Sequence, residues 1–117
     1  MPGQDKFVYI LGISDGEVLS FTISSQRKYL ALTATRDQLV EIPFRSTNFL
    51  TRPSYIQCFY ELTRIPILQF RKLEANGTIN WRACSPAFLP SIARIVHNSE
   101  LLPEEDVETV EQLLGRW

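Results

Sequence analysis

The sequence predicts an α+β domain: a small curved antiparallel sheet or barrel with two C-terminal helices packed at one end. Three observations predict it. Short runs rich in β-branched and aromatic residues fill most of the chain up to residue 83. Two-residue turn signals, Asp15-Gly16 and Asn76-Gly77, punctuate those runs. After residue 85 the apolar period changes from two to the 3.6 of a helix. A chain of 117 residues is read as one domain, residues 1–117.

KFVYILGI (6–13) is apolar and short enough for a strand. Asp15-Gly16 then turns the chain, since both residues tolerate positive φ. EVLSFTISS alternates, with Leu19, Phe21 and Ile23 on one face and Ser20, Thr22 and Ser24 on a hydroxyl-lined outer face. Residues 26–37 (QRKYLALTATRD) have no firm helix cap and are read as irregular loop. QLVEIPF (38–44) is a short strand ended or edged by Pro43, and 45–53 is a polar loop. SYIQCFYEL, from Ser54, carries apolar residues on both faces and is expected to be one central strand. Pro53 keeps Arg52 extended and cannot join a ladder, so that strand begins after it; Pro66 closes the far end. ILQFRKLE (67–74) and TINWRA (78–83) are expected to form a second hairpin about Asn76-Gly77.

The helical part opens on SPAFLPSIARIVHNS, with Ser85 as N-cap, Pro86 at the first helical position and Pro90 still in the first turn. Phe88, Leu89, Ile92, Ile95 and Val96 share one face. Pro103 and three acids begin the last helix, where negative charge suits the dipole, and Val107, Val110, Leu113 and Leu114 form its stripe.

Composition narrows the function classes. Apolar residues make up 44% and charged residues 21%, a globular mixture. No apolar run approaches the roughly 18–20 residues of a membrane span, and MPGQD lacks signal-peptide features, so a cytoplasmic protein without membrane partners is expected. Net charge is −1, with no global basic field. Its distribution is uneven: residues 1–99 hold 11 Lys/Arg against 7 Asp/Glu, and residues 100–117 hold 1 against 6. A mildly basic body thus carries an acidic tail. Cys58, Cys84 and His97 lack metal-ligand spacing, so no metal and no cofactor are expected, and the cysteines are read as buried thiols.

FTISSQ (21–26) and the block FLTRPSYIQCFYELTRIP (49–66), followed by a Gly-containing hairpin and a C-terminal helix, resemble the MazF/PemK toxin family. The resemblance covers residues 6–85, and the helices more loosely. It implies an SH3-like barrel, a dimer, a cognate antitoxin and sequence-specific cleavage of single-stranded RNA. Ser24 and Ser25 stand at the family's hydroxyl pair. The family's catalytic Arg comes from a strand and loop ahead of the equivalent of KFVYILGI, where this sequence has only MPGQD. That Arg has no match, which favours a non-catalytic nucleic-acid or protein interaction module over an endoribonuclease.

RNA cleavage without a metal needs a base, a cation for the phosphorane and an acid for the leaving oxygen. Ser24, Ser25 and Arg27 at a strand end are the residues to grip a phosphate, and are the catalytic candidates if the chain cleaves. Arg36, Arg45, Arg52, Ser54 and Tyr55, with Phe49 nearby, combine cations with stacking faces and suit single-stranded RNA. The plain alternatives are a solvated strand end, loop-surface arginines and core aromatic rings. Arg36-Asp37 offers a cation and a carboxylate base, but is read more simply as an ordinary loop ion pair. His97 reads as a helix-end residue rather than a general base, and Trp81 and Trp117 as packing residues.

Overall fold

A computed structural model gives the structure of the protein; it describes residues 7–25, 36–43, 50, 52–58, 62–79 and 86–115. Strands β1 (Phe7–Ser14) and β2 (Glu17–Ser24) form the expected hairpin. Asp15 and Gly16 have φ of 51° and 74°, the paired positive values of a type I′ turn, whose twist matches that of the flanking strands. One irregularity bends the ribbon. Ile10 pairs with Ser20 but Gly12 pairs with Leu19, so Leu11 is an extra residue on β1. Gly12 has φ 151°, and a Cβ there would come within 3.2 Å of the Leu113 side chain. The bulge thus lies directly against the last helix.

Strands β3 (Leu39–Ile42) and β4 (Ser54–Gln57) make a second antiparallel ribbon, continued by Cys58 N–H donating to the Gln38 carbonyl at 3.0 Å. Strand β5 (Thr63–Pro66) completes a five-stranded sheet. β2 is its centre: β1 pairs along one edge, while β5 and β4 divide the other. Of the single strand expected over 54–62, Ser54–Gln57 forms β4, Cys58 and Leu62 lie outside strands, and 59–61 lie outside the described residues. Ile23 lies three positions after Ser20 on β2, but their partners Ile56 and Thr63 lie seven positions apart, so the register does not run on continuously from β4 to β5. Ser54 begins β4 directly after Pro53, and Pro66 ends β5, as the proline brackets require. The sheet is curved and, among the described residues, open rather than closed into a barrel.

Residues 67–74 correct the expected second hairpin. Ile67–Ala75 is a helix, α1. Its apolar residues Ile67, Phe70 and Leu73 recur every third position, and Leu, Gln, Arg, Lys, Glu and Ala are all good helix formers. Asn76-Gly77 is its C-terminal cap rather than a hairpin turn. Thr78 N–H donates to the Leu73 carbonyl at 2.9 Å and Gly77 N–H to that of Glu74 at 3.2 Å, with Gly77 at φ 81°. This is the Schellman arrangement, which needs a left-handed residue at that position. Residues 80–83 of the expected hairpin lie outside the described residues.

A short 3₁₀ turn, Pro86–Phe88, leads into α2 (Leu89–His97), and α3 (Glu104–Leu114) follows. Among the described residues α1 adds a helix that the sequence reading did not expect. Pro90 stands in the first turn of α2, where a missing N–H removes no helical bond; Ser85 lies outside the described residues. Ser99 joins the helices, its Oγ accepting from Leu101 and Leu102 N–H, each at 3.2 Å. The predicted stripes face the sheet: Ile92, Val96 and Val110 are fully buried against Leu19, Phe21 and Ile56. The Tyr9 and Phe88 rings meet edge to face at 6.2 Å. The outer face of β2 is less uniform than predicted. Thr22 and Ser24 are half-buried, but Ser20 is fully buried and its hydroxyl has no partner among the described residues.

Candidate functional site

The register assembles the site. Ser24 of β2 pairs with Tyr55 of β4, and Tyr55 pairs with Glu41 of β3. The adjoining row, Ile23, Ile56 and Val40, is buried in the core. Because successive residues of a strand point to opposite faces, Ser24, Tyr55 and Glu41 lie together on the other face. Directly opposed side chains have Cβ atoms about 4.5–5.5 Å apart. Ser24 and Tyr55 are half-buried and Glu41 is exposed. Ser25, half-buried, follows at the end of β2. Arg52 lies just ahead of β4; its side chain is exposed and joins no ion pair among the described residues.

Ser54 shapes this corner from within. It is 3% exposed, pairs with the buried Ile42, and its hydroxyl donates to the Arg52 carbonyl at 3.2 Å. That bond fixes the backbone from which the Arg52 side chain leaves, while the Ser54 side chain itself faces the core. Arg36 is exposed but stands at the opposite end of the β3–β4 ribbon, since it precedes Leu39, the partner of Gln57. The structure therefore brings Ser24, Ser25, Arg52 and Tyr55 to one end of the sheet and leaves Arg36 at the other. Arg27 and Arg45 lie outside the described residues. Glu41 is the member that sequence reasoning missed. Its outward position follows from alternation within LVEI, but its place beside Tyr55 follows only from the β3–β4 register.

Other chemical groups are engaged in the fold. Arg64 Nη2 donates to Asp106 Oδ1 at 2.8 Å and to Thr109 Oγ1 at 3.1 Å, and Arg64 Nη1 lies 4.0 Å from Glu17 Oε1. The hydrogen bond to Asp106 is the main reason its guanidinium is held even more firmly protonated than usual. His97 Nδ1 lies 2.6 Å from Glu111 Oε1, which ties α2 to α3 and suits the helix-end role expected of this His. Burial pushes the Cys58 thiol up to about 12, so it is neutral and a poor nucleophile at ordinary pH. Among the described residues, no cluster of three or more His, Cys, Asp or Glu could hold a metal ion, and no helix is long and apolar enough to cross a membrane.

The end of β2 gathers an exposed cation, two half-buried hydroxyls and a half-buried aromatic ring at one end of the sheet. Such groups hold a phosphodiester and stack a base without needing a duplex. No known protein family, curated protein or solved structure matches the chain. Ser24 of FTISS and Tyr55 of RPSYIQ meet in one cross-strand pair.

Proposed function

We propose that the protein is a non-catalytic interaction module of the MazF/PemK kind that binds single-stranded nucleic acid, with RNA as the first partner to test. The Ser24–Tyr55 pairing carries this reading, because it joins the hydroxyl pair of one strand end to the ring and cation at the entrance of another. Arg52 supplies the phosphate contact, Ser24 and Ser25 donate hydrogen bonds to phosphate or sugar, and Tyr55 offers a stacking face.

Fluorescence anisotropy with a labelled mixed-sequence RNA tests the proposal across a salt series. Binding should weaken as salt rises, with a log–log slope of about −0.7 for each phosphate neutralised. Arg52→Ala should make that slope shallower by about one such contact and weaken binding at every sequence alike. The same RNA, run on a denaturing gel after incubation, should stay intact. Discrete fragments would replace this reading with the endoribonuclease one. Absence of RNA binding, together with salt-insensitive association in sedimentation, would replace it with a protein-binding module.

A further inference from the structure

We propose that Glu41 makes this surface selective for guanine in the bound single strand. The inference rests on the binding reading above and adds the base preference. Tyr55 occupies the middle of a three-residue row, with Ser24 on one side and Glu41 on the other. Two strand spacings separate Ser24 from Glu41, roughly 10 Å. That span suits a single nucleotide: phosphate beside Ser24, Ser25 and Arg52, base over Tyr55, and the outer edge of the base at Glu41. Glu41 is exposed and pairs with no cation among the described residues, so its carboxylate is open to a ligand.

The chemistry of the edge selects the base. An ionised carboxylate is an acceptor with two oxygens and no donor. Guanine alone of the RNA bases presents two adjacent donors on its Watson–Crick edge, N1–H and the 2-amino group, so it makes two parallel charge-assisted hydrogen bonds. Uracil presents one donor flanked by two carbonyl oxygens, which the carboxylate repels. Adenine and cytosine each pair one donor with an acceptor, so each makes one good bond beside one repulsive contact. Single-stranded recognition reads this edge when the base is splayed out and stacked on an aromatic ring.

Short uridine tracts carrying one central guanosine, inosine or adenosine, compared with an all-uridine tract, measure the preference by anisotropy. The guanosine tract should bind about tenfold more tightly than all-uridine, the scale of a well-formed bidentate contact. Inosine, which keeps N1–H and lacks the 2-amino group, should fall between them. Glu41→Gln should lower the affinity for the guanosine tract about tenfold, because an amide presents one donor and one acceptor. Circular dichroism checks that this exposed substitution leaves the fold intact. Equal binding of all tracts by the unaltered protein would overturn the guanine preference while leaving nucleic-acid binding standing. A guanosine preference that persists in Glu41→Gln would overturn the role of Glu41. Binding of none of the tracts would overturn both readings.

Discussion

Cys58 shows how far a single residue's chemistry is set by where the sheet puts it. It follows β4 directly, is fully buried, and has only a weak Sγ–H contact to the Ile56 carbonyl at 3.8 Å. Burial without a cation favours the neutral thiol, which is why its pKa rises from 9.0 to about 12. The consequence for stability has a definite sign. Above pH 9 the unfolded chain releases this proton while the folded chain keeps it, so the unfolded state binds fewer protons and stability falls as pH rises. The contribution is intact below pH 9 and is lost between 9 and about 12, at no more than about 1.4 kcal/mol per pH unit. Urea unfolding from pH 8 upward should therefore decline more steeply in the unaltered protein than in Cys58→Ala. Iodoacetamide followed by peptide mapping should leave Cys58 unmodified in native buffer and label it in urea. Rapid native labelling would contradict the buried placement. Residue chemistry of this kind was legible in the sequence for Cys58, read as a buried thiol from its place in an apolar run. It was not legible for Glu41, because a residue's cross-strand neighbour depends on a register set by a connection of more than ten residues.

At the scale of the element, the two turn dipeptides show where sequence reading succeeds and where it fails. Asp15-Gly16 and Asn76-Gly77 use the same property, a backbone that accepts positive φ. The first is flanked on both sides by strands, so positive φ makes a hairpin. The second follows a run whose apolar residues recur every third position, so positive φ ends a helix instead. The dipeptide fixes the local dihedral; the period before it decides the structure. Strand β4 was misjudged for a related reason. Its apolar pattern continues past Gln57, but β4 ends there, and Thr63–Pro66 pairs with β2 in a different register. Prolines gave firmer boundaries, because a missing N–H acts whatever the tertiary context. Gly77 provides the quantitative check. Among the described residues a Cβ added there meets nothing within 4 Å, so the penalty comes from its φ of 81°. Gly77→Ala should destabilise the protein by about 1 kcal/mol in urea titration, and Gly77→Asn by less, since Asn tolerates the left-handed region. Equal stability of all three would argue that the chain after α1 does not adopt this cap.

For the whole molecule, the question is what holds the described helices on the sheet. Apolar burial supplies most of the attraction, with Val110, Ile92 and Val96 sealed against β2 and β4, but burial alone is non-directional. Two polar ties give α3 its orientation. Arg64 of β5 reaches Asp106 and Thr109 on the first half of α3, and His97 of α2 reaches Glu111 on the second. The acids at 104–106 therefore serve a second purpose beyond the helix dipole: Asp106 also anchors the helix to the sheet. Arg64 and Asp106 are partly exposed, at 27% and 14% of their side chains, so solvent screening limits the pair to about 1 kcal/mol of coupling. A double-mutant cycle of Arg64→Ala and Asp106→Ala should return that coupling, reduced in high salt. The more discriminating readout is local. If the tie orients α3, hydrogen exchange in Arg64→Ala should speed up at the amides around Val110 by more than at those around Phe21 in β2, because the helix opens before the sheet does. A uniform acceleration across both would mean that Arg64 contributes only to global stability, and that packing against the bulge at Gly12 is enough to set the helix in place.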